Sequence, residues 1–159
     1  MTDRAAHPAR PTVRRATLDD IAALRRLRWE MTDEMSEATE DAAAFRLRFD
    51  AFATRALAGG HWAIFVAERD FTLLGMVWVQ LVDRGPRPNA TPATYAYITS
   101  VFVEAAERNA GLGRRILDAA LAWIGAQDAE MTVLWPSERS GPFYERAGFA
   151  PSDAIVRRR

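Results

Sequence analysis

From Tyr95 to Ala126 the apolar residues change period, and that change constrains the fold more than any other stretch of the chain. Tyr95-Ala96-Tyr97-Ile98-Thr99-Ser100-Val101-Phe102-Val103 is rich in aromatic and β-branched residues and reads as a strand. A polar turn, Glu104-Ala105-Ala106-Glu107, leads into Arg108-Asn109-Ala110-Gly111-Leu112-Gly113-Arg114-Arg115. From Leu112 the apolar side chains recur at Ile116, Leu117, Ala120, Leu121, Trp123 and Ile124, which is helical spacing. The unit is a strand, a glycine-bearing turn and a helix.

Free amides at a helix start, together with the positive end of the helix dipole, form a place for an anion. Gly111 and Gly113 remove side chains where such an anion would lie, and glycine tolerates dihedrals that other residues resist. Arg114 and Arg115 are unfavourable in the first turn of an isolated helix and become favourable if a multiply charged anion sits outside it. By local pattern alone, a plain strand-to-helix connector with solvated arginines competes with the anion site.

Composition removes several kinds of chemistry. The chain has no cysteine, so disulfides and thiolate nucleophiles or ligands are ruled out. Every basic residue apart from His7 and His61 is arginine, so there is neither a P-loop lysine nor a Schiff-base lysine. Positive and negative side chains balance at 21 each, which argues against a nucleic-acid or membrane-surface partner. No apolar run reaches membrane-span length and the N-terminus lacks a signal-peptide pattern, so a cytoplasmic protein is expected. Its 159 residues amount to one domain, with residues 1–10 a disordered tail and 11–159 the folded unit.

The remaining elements follow from pattern. Val13 to Ala16 reads as a short strand, after which Thr17 caps a helix with Asp20 completing a shortened capping box. Leu18, Ile21, Leu24, Leu27, Met31 and Met35 share one face of that helix. A second helix places Phe45, Phe49, Phe52, Ala53 and Ala56 on its buried side and stops at Gly59-Gly60. Trp62 to Glu68 and Leu73 to Val82 read as a hairpin, with Gly75 marking a bulge or a close approach. Met131 to Trp135 reads as a short buried strand, and Pro142 and Gly148 bracket a helix of less than two turns. A weak strand, Ala154 to Val156, closes the list. The order β-α-α-β-β-β-α-β-α(-β) gives a mixed sheet flanked by helices, α/β or α+β.

A P-loop is excluded by the missing lysine. A dinucleotide fingerprint is excluded by Ile116, which stands where its third glycine belongs, and by Trp135, which stands where the next strand should end on an acidic residue. At two separated places the chain resembles the GNAT-type N-acetyltransferase superfamily. Val101-Phe102-Val103-Glu104 followed by Arg108-Asn109-Ala110-Gly111-Leu112-Gly113 is similar to its pyrophosphate loop, Arg/Gln-x-x-Gly-x-Gly/Ala, with the preceding strand. Phe143-Tyr144-Glu145-Arg146-Ala147-Gly148-Phe149 is similar to its second signature, a short helix that carries a tyrosine and closes on Gly-Phe. Ala105 and Asn109 depart from the proline and glycine that the family often has there, and the C-terminus looks short for the family's last two strands.

The resemblance implies the acyl-CoA N-acyltransferase fold, with a mostly antiparallel twisted sheet, and acetyl-CoA as acyl donor with no metal. It implies that the amides from Arg108 through Asn109, Ala110, Gly111, Leu112 and Gly113 to Arg114 hold the pyrophosphate. The pantetheine arm would lie along Val101 and Val103, and an N–H near Phe102 or Val103 would polarise the thioester. Tyr144 is the expected general acid, since a phenol stays protonated at neutral pH. It competes with the reading of Tyr144 as a core aromatic beside Phe143.

No carboxylate occurs between Tyr95 and Val103, so the general base stays open among a water held by Tyr97, Glu30 or Glu34, and His61, with Glu104 a structural residue. The stretch from Trp29 to Asp41 carries Glu30, Asp33, Glu34, Glu37, Glu40 and Asp41 without a basic residue. It is read either as a wall that draws a cationic amine, with Glu30 and Glu34 as substrate-binding residues, or as a solvated helix end. The expected activity is transfer of acetyl to a primary amine by direct attack, and the alternative is a silent acyl-CoA-binding sensor. A homodimer is compatible with either.

Overall fold

The computed structural model describes residues 9–88 and 93–152. Strand β1 (Thr12–Arg15) is followed by a single 3-10 turn, Leu18–Asp20, and helix α1 (Ile21–Met35). The turn is held as the sequence implies: the Asp20 carboxylate accepts from the Thr17 N–H at 2.7 Å. It also receives both terminal nitrogens of Arg14, at 2.8 and 2.9 Å, which ties β1 to the helix start. Helix α2 (Ala42–Ala58) begins on Asp41, whose carboxylate accepts from the Ala43 and Ala44 N–H groups and satisfies two of the orphan donors of a helix start.

Strands β2 (Trp62–Arg69) and β3 (Thr72–Asp83) form the hairpin, turning at Asp70 and Phe71. Both turn residues have positive φ, as a two-residue hairpin loop of this hand requires. Strand β4 (Thr94–Val103), helix α3 (Leu112–Ile124), strand β5 (Thr132–Leu134) and helix α4 (Gly141–Glu145) complete the order. The five strands form one sheet in the order β1-β2-β3-β4-β5, antiparallel except for the parallel β4–β5 pair.

Strands β2 and β3 are apolar at nearly every position because both faces of the sheet are covered. Ile64, Val66, Met76, Trp78 and Phe102 pack against Leu24, Leu27, Phe49 and Ala53 of α1 and α2. Phe65, Val77, Val79 and Ile98 pack on the other side against Leu112, Ile116, Leu117 and Ala120 of α3.

Some expectations shift. Leu18 and Met35 are exposed rather than part of the α1 core face, because the chain before Ile21 is a 3-10 turn and α1 outruns the sheet at Met35. Phe52 is partly exposed because it borders a cavity. Strand β5 is half-buried rather than buried, with Met131 and Trp135 exposed at its ends, because it pairs on one side only. The strand expected at Ala154 to Val156 lies outside the described residues.

Gly75 is a point of close approach. A Cβ there would stand 2.8 Å from the Phe102 carbonyl oxygen and 3.0 Å from Ile116 Cδ1. A register shift between β2 and β3 lies beside it, at Ala67 and Glu68.

Candidate active site

Two irregularities in β4 build the site. The register with β3 slips between Met76 and Trp78: Met76 faces Phe102, whereas Trp78 faces Thr99. The extra residue is accommodated as a bulge, and Ser100 carries a φ of 51°. The second irregularity is that β5 pairs with β4 only at Ala96, Tyr97 and Ile98. Beyond Ile98, β5 diverges and leaves the β5-facing edge of Thr99–Val103 without a strand partner among the described residues.

The divergence opens a cavity of about 380 Å³ between β4, α1 and α4, lined by Tyr97, Val101, Ser137, Ser140 and Tyr144 among others. A larger one, about 750 Å³, lies between β4 and the α1–α2 pair. Arg28, Thr32, Ser36, Tyr97, Thr99 and Ser100 border both, so the two meet at the β4 bulge. The larger cavity is walled by aromatic side chains. Phe52 stacks on Trp78 at 5.9 Å between centroids, Trp62 meets both edge-on, and Trp29 and Phe45 extend the wall.

At the far end of β4 the turn into α3 has the form the sequence predicts. Gly111 is the residue before the helix, with φ 77° and ψ 4°, a left-handed conformation that glycine adopts without strain. A Cβ on Gly111 would meet no protein atom within 4 Å, so glycine is favoured there by the backbone conformation and not by crowding from the chain. Asn109 shares the positive φ, at 62°. The main-chain N–H groups from Asn109 through Ala110, Gly111, Leu112 and Gly113 to Arg114 donate to no other group among the described residues. They form a run of free donors at the positive end of a helix.

The arginines around this turn are engaged elsewhere. Arg114 pairs with Asp118 at 2.7 Å and donates to the Arg146 carbonyl at 2.8 Å, while Arg115 donates to the Pro11 carbonyl at 2.7 Å. Arg108 lies over the Phe102 ring, donates from Nε to the Val103 carbonyl at 2.8 Å and pairs with Glu34 at 2.6 Å. The unengaged donors of the turn are therefore main-chain groups.

Tyr144 is buried on α4, edge-on to Phe143 and Phe149, and borders the smaller cavity. Its hydroxyl makes no hydrogen bond to another described residue, and burial pushes its pKa up to about 12. Tyr97 borders both cavities and packs edge-on against Trp135 at 4.6 Å.

Three of the six carboxylates of the acidic stretch are held in ion pairs. Glu30 pairs with Arg26, which also takes Glu104; Glu34 pairs with Arg108, and Glu40 with Arg48. Neither Glu30 nor Glu34 lines either cavity. His61 is exposed, lies 3.7 Å from Asp83 and lines neither cavity.

Residues the sequence pattern did not single out are Arg28, Ser100 and the Trp62–Trp78 wall. The one available signal was Arg28 beside the apolar positions Leu24, Leu27 and Met31, with polar Thr99-Ser100 interrupting an otherwise apolar strand.

A model of the acetyltransferase (GNAT) family matches residues 21–149. A sequence search of the curated proteins finds no match. Among solved structures, the chain is similar to a predicted acetyltransferase from Clostridium acetobutylicum with acetyl-CoA, at TM-score 0.82 and 20% identity, covering 94% of this chain and 96% of that one. A GCN5-related N-acetyltransferase from Ralstonia eutropha JMP134 follows at TM-score 0.76 and 24% identity, covering 94% and 98%. An aminoglycoside N-acetyltransferase in complex with CoA aligns at TM-score 0.76 and 14% identity, covering 98% and 97%. These likenesses are of fold, and the family match spans both the glycine turn before α3 and the tyrosine of α4. The chain belongs to the GNAT acetyltransferase family.

Proposed function

We propose that this protein transfers an acetyl group from acetyl-CoA to the primary amine of an acceptor held in the larger cavity. The observation that carries this reading is the unpartnered edge of β4 after Ile98, which borders the same cavity as Tyr144 and leads along the chain to the free amides of the Asn109–Arg114 turn. A diphosphate suits the amides, because six adjacent donors at a helix start favour a compact double anion. The pantetheine amides suit the edge at Val101 and Val103, where they would pair as an added strand does. That path runs towards the bulge, and an N–H near Phe102 or Val103 would polarise the thioester carbonyl.

Acetyl-CoA supplies an acyl carbon made electrophilic by its thioester. The acceptor nitrogen enters from the larger cavity and attacks that carbon, the C–S bond breaks, and the sulfur takes a proton. Tyr144 is the donor in this reading: its raised pKa keeps it protonated, and the burial that raises it also makes a nearby thiolate more basic. The acceptor attacks as the neutral amine, its nitrogen then gives up a proton to water beside Tyr97, and Tyr144 regains its proton from solvent.

The reading is tested by thiol release from acetyl-CoA over an amine panel, with calorimetry for CoA. Expected are CoA uptake and amine-dependent release. Uptake without release from any amine would favour an acyl-CoA sensor, and no uptake would remove the reading altogether.

A further inference from the structure

The charged side chains lining the larger cavity are Arg28, Arg48, Arg55, Glu37 and Glu40. Arg48 and Glu40 neutralise each other. Arg28 and Arg55 have no carboxylate partner among the described residues, and neither does Glu37. The unpaired charges therefore sum to a positive surplus, in a cavity whose remaining surface is largely aromatic.

Arg28 is the better placed of the two arginines. It is half-buried on α1, and its Nη1 donates to Ser100 Oγ at 2.8 Å, which fixes the guanidinium at the bulge where the cavities meet. Its Nε and Nη2 donate to no described residue. An anchored guanidinium with donors to spare beside an apolar wall is suited to a carboxylate.

From this we infer that the acceptor is an α-amino acid with a large apolar or aromatic side chain. Its carboxylate would bind Arg28, and its side chain would lie against Phe52, Trp62 and Trp78. An α-carboxylate is two bonds from the nitrogen, so holding it at the junction of the cavities holds the nitrogen there too. Arg55, exposed at the aromatic end, adds to the positive potential that draws an anion. This rests on the transferase reading and adds the acceptor's class.

The test compares kcat/KM for L-phenylalanine and L-tryptophan with that for phenethylamine and tryptamine, which lack the carboxylate, and for glycine, which lacks the side chain. Expected is a preference of about ten-fold or more for each aromatic amino acid over its decarboxylated partner, the discrimination set by one charge-assisted pair. Glycine should be poorer still. Arg28→Gln should collapse the ratio of phenylalanine to phenethylamine towards one, and Arg28→Lys should restore part of it, with CoA affinity followed by calorimetry. Equal use of phenethylamine, or an unchanged ratio in a folded Arg28→Gln variant, would overturn the inference and leave the transferase standing. Release confined to amines without a carboxylate would do the same. Release from no amine at all would overturn both. If Arg28→Gln does not fold, the wild-type panel decides alone.

Discussion

Arg28 on α1 donates to the hydroxyl of Ser100 on β4, and Ser100 has a left-handed backbone, with φ of 51°. A helix side chain thus grips the strand at its bulge. Replacing Ser100 separates the two contributions. Ser100→Ala keeps the backbone strain and loses the hydrogen bond, whereas Ser100→Gly loses the bond but relieves the strain. The glycine variant is expected to be the more stable of the two by about 1 kcal/mol. Urea unfolding of both variants checks the difference. Both should lose acceptor affinity if Ser100 positions the guanidinium.

Tyr144→Phe is expected to lower turnover by about a hundred-fold with CoA affinity nearly unchanged, because the hydroxyl is invoked only as sulfur gains charge. Turnover within a few-fold of wild type would remove the role.

The same residue gives a pH signature. Its folded pKa is about 12 against an ordinary 10.0, so the folded protein holds the proton more tightly. Stability from this group is complete below pH 10 and is lost as pH rises towards 12. The loss would amount to about 2 kcal/mol if no other group responds. Tyr144→Phe should lose less stability than wild type over that interval, as measured by denaturant titration at each pH.

Gly75→Ala should destabilise by about 2–3 kcal/mol, since its Cβ would meet a main-chain oxygen that cannot rotate away. The oxygen is that of Phe102, at 2.8 Å, so relief must come from shifting β4. CoA affinity should fall with stability, which calorimetry alongside unfolding would reveal. A variant as stable as wild type would show that β3 and β4 can separate freely.

The Arg14–Asp20 pair makes an acid-side prediction. The Arg14 hydrogen bonds hold the Asp20 carboxyl below the usual carboxylate range, and the Thr17 N–H helps, against the opposing effect of burial. A lowered folded pKa gives stability that is present above the unfolded value and lost as pH falls through the folded one. Asp20→Asn should cost about 2 kcal/mol at neutral pH, discounted for the partial exposure of Arg14. The difference from wild type should shrink below pH 3.8. A constant difference from pH 7 to pH 2 would assign the effect to packing.

The sequence by itself determined the order of elements, the hairpin, the strand–turn–helix unit and the positions of Gly111 and Tyr144. These follow from periods of two and 3.6 and from residues whose conformational demands are local. Gly75 was readable as an anomaly for the same reason, since a glycine inside an apolar strand stands out without knowledge of its neighbours. What only the tertiary structure decided is where charges and cavities fall. The acidic stretch before α2 looks like a cation trap in one dimension, yet Arg108, 74 residues along the chain, comes back to pair with Glu34, while the nearer Arg26 and Arg48 take Glu30 and Glu40. Arg28 looks like one more helical arginine until the β4 bulge brings Ser100 to it. Periodicity registers which face of an element is apolar. It carries no information on which opposite charge, distant along the chain, will reach it.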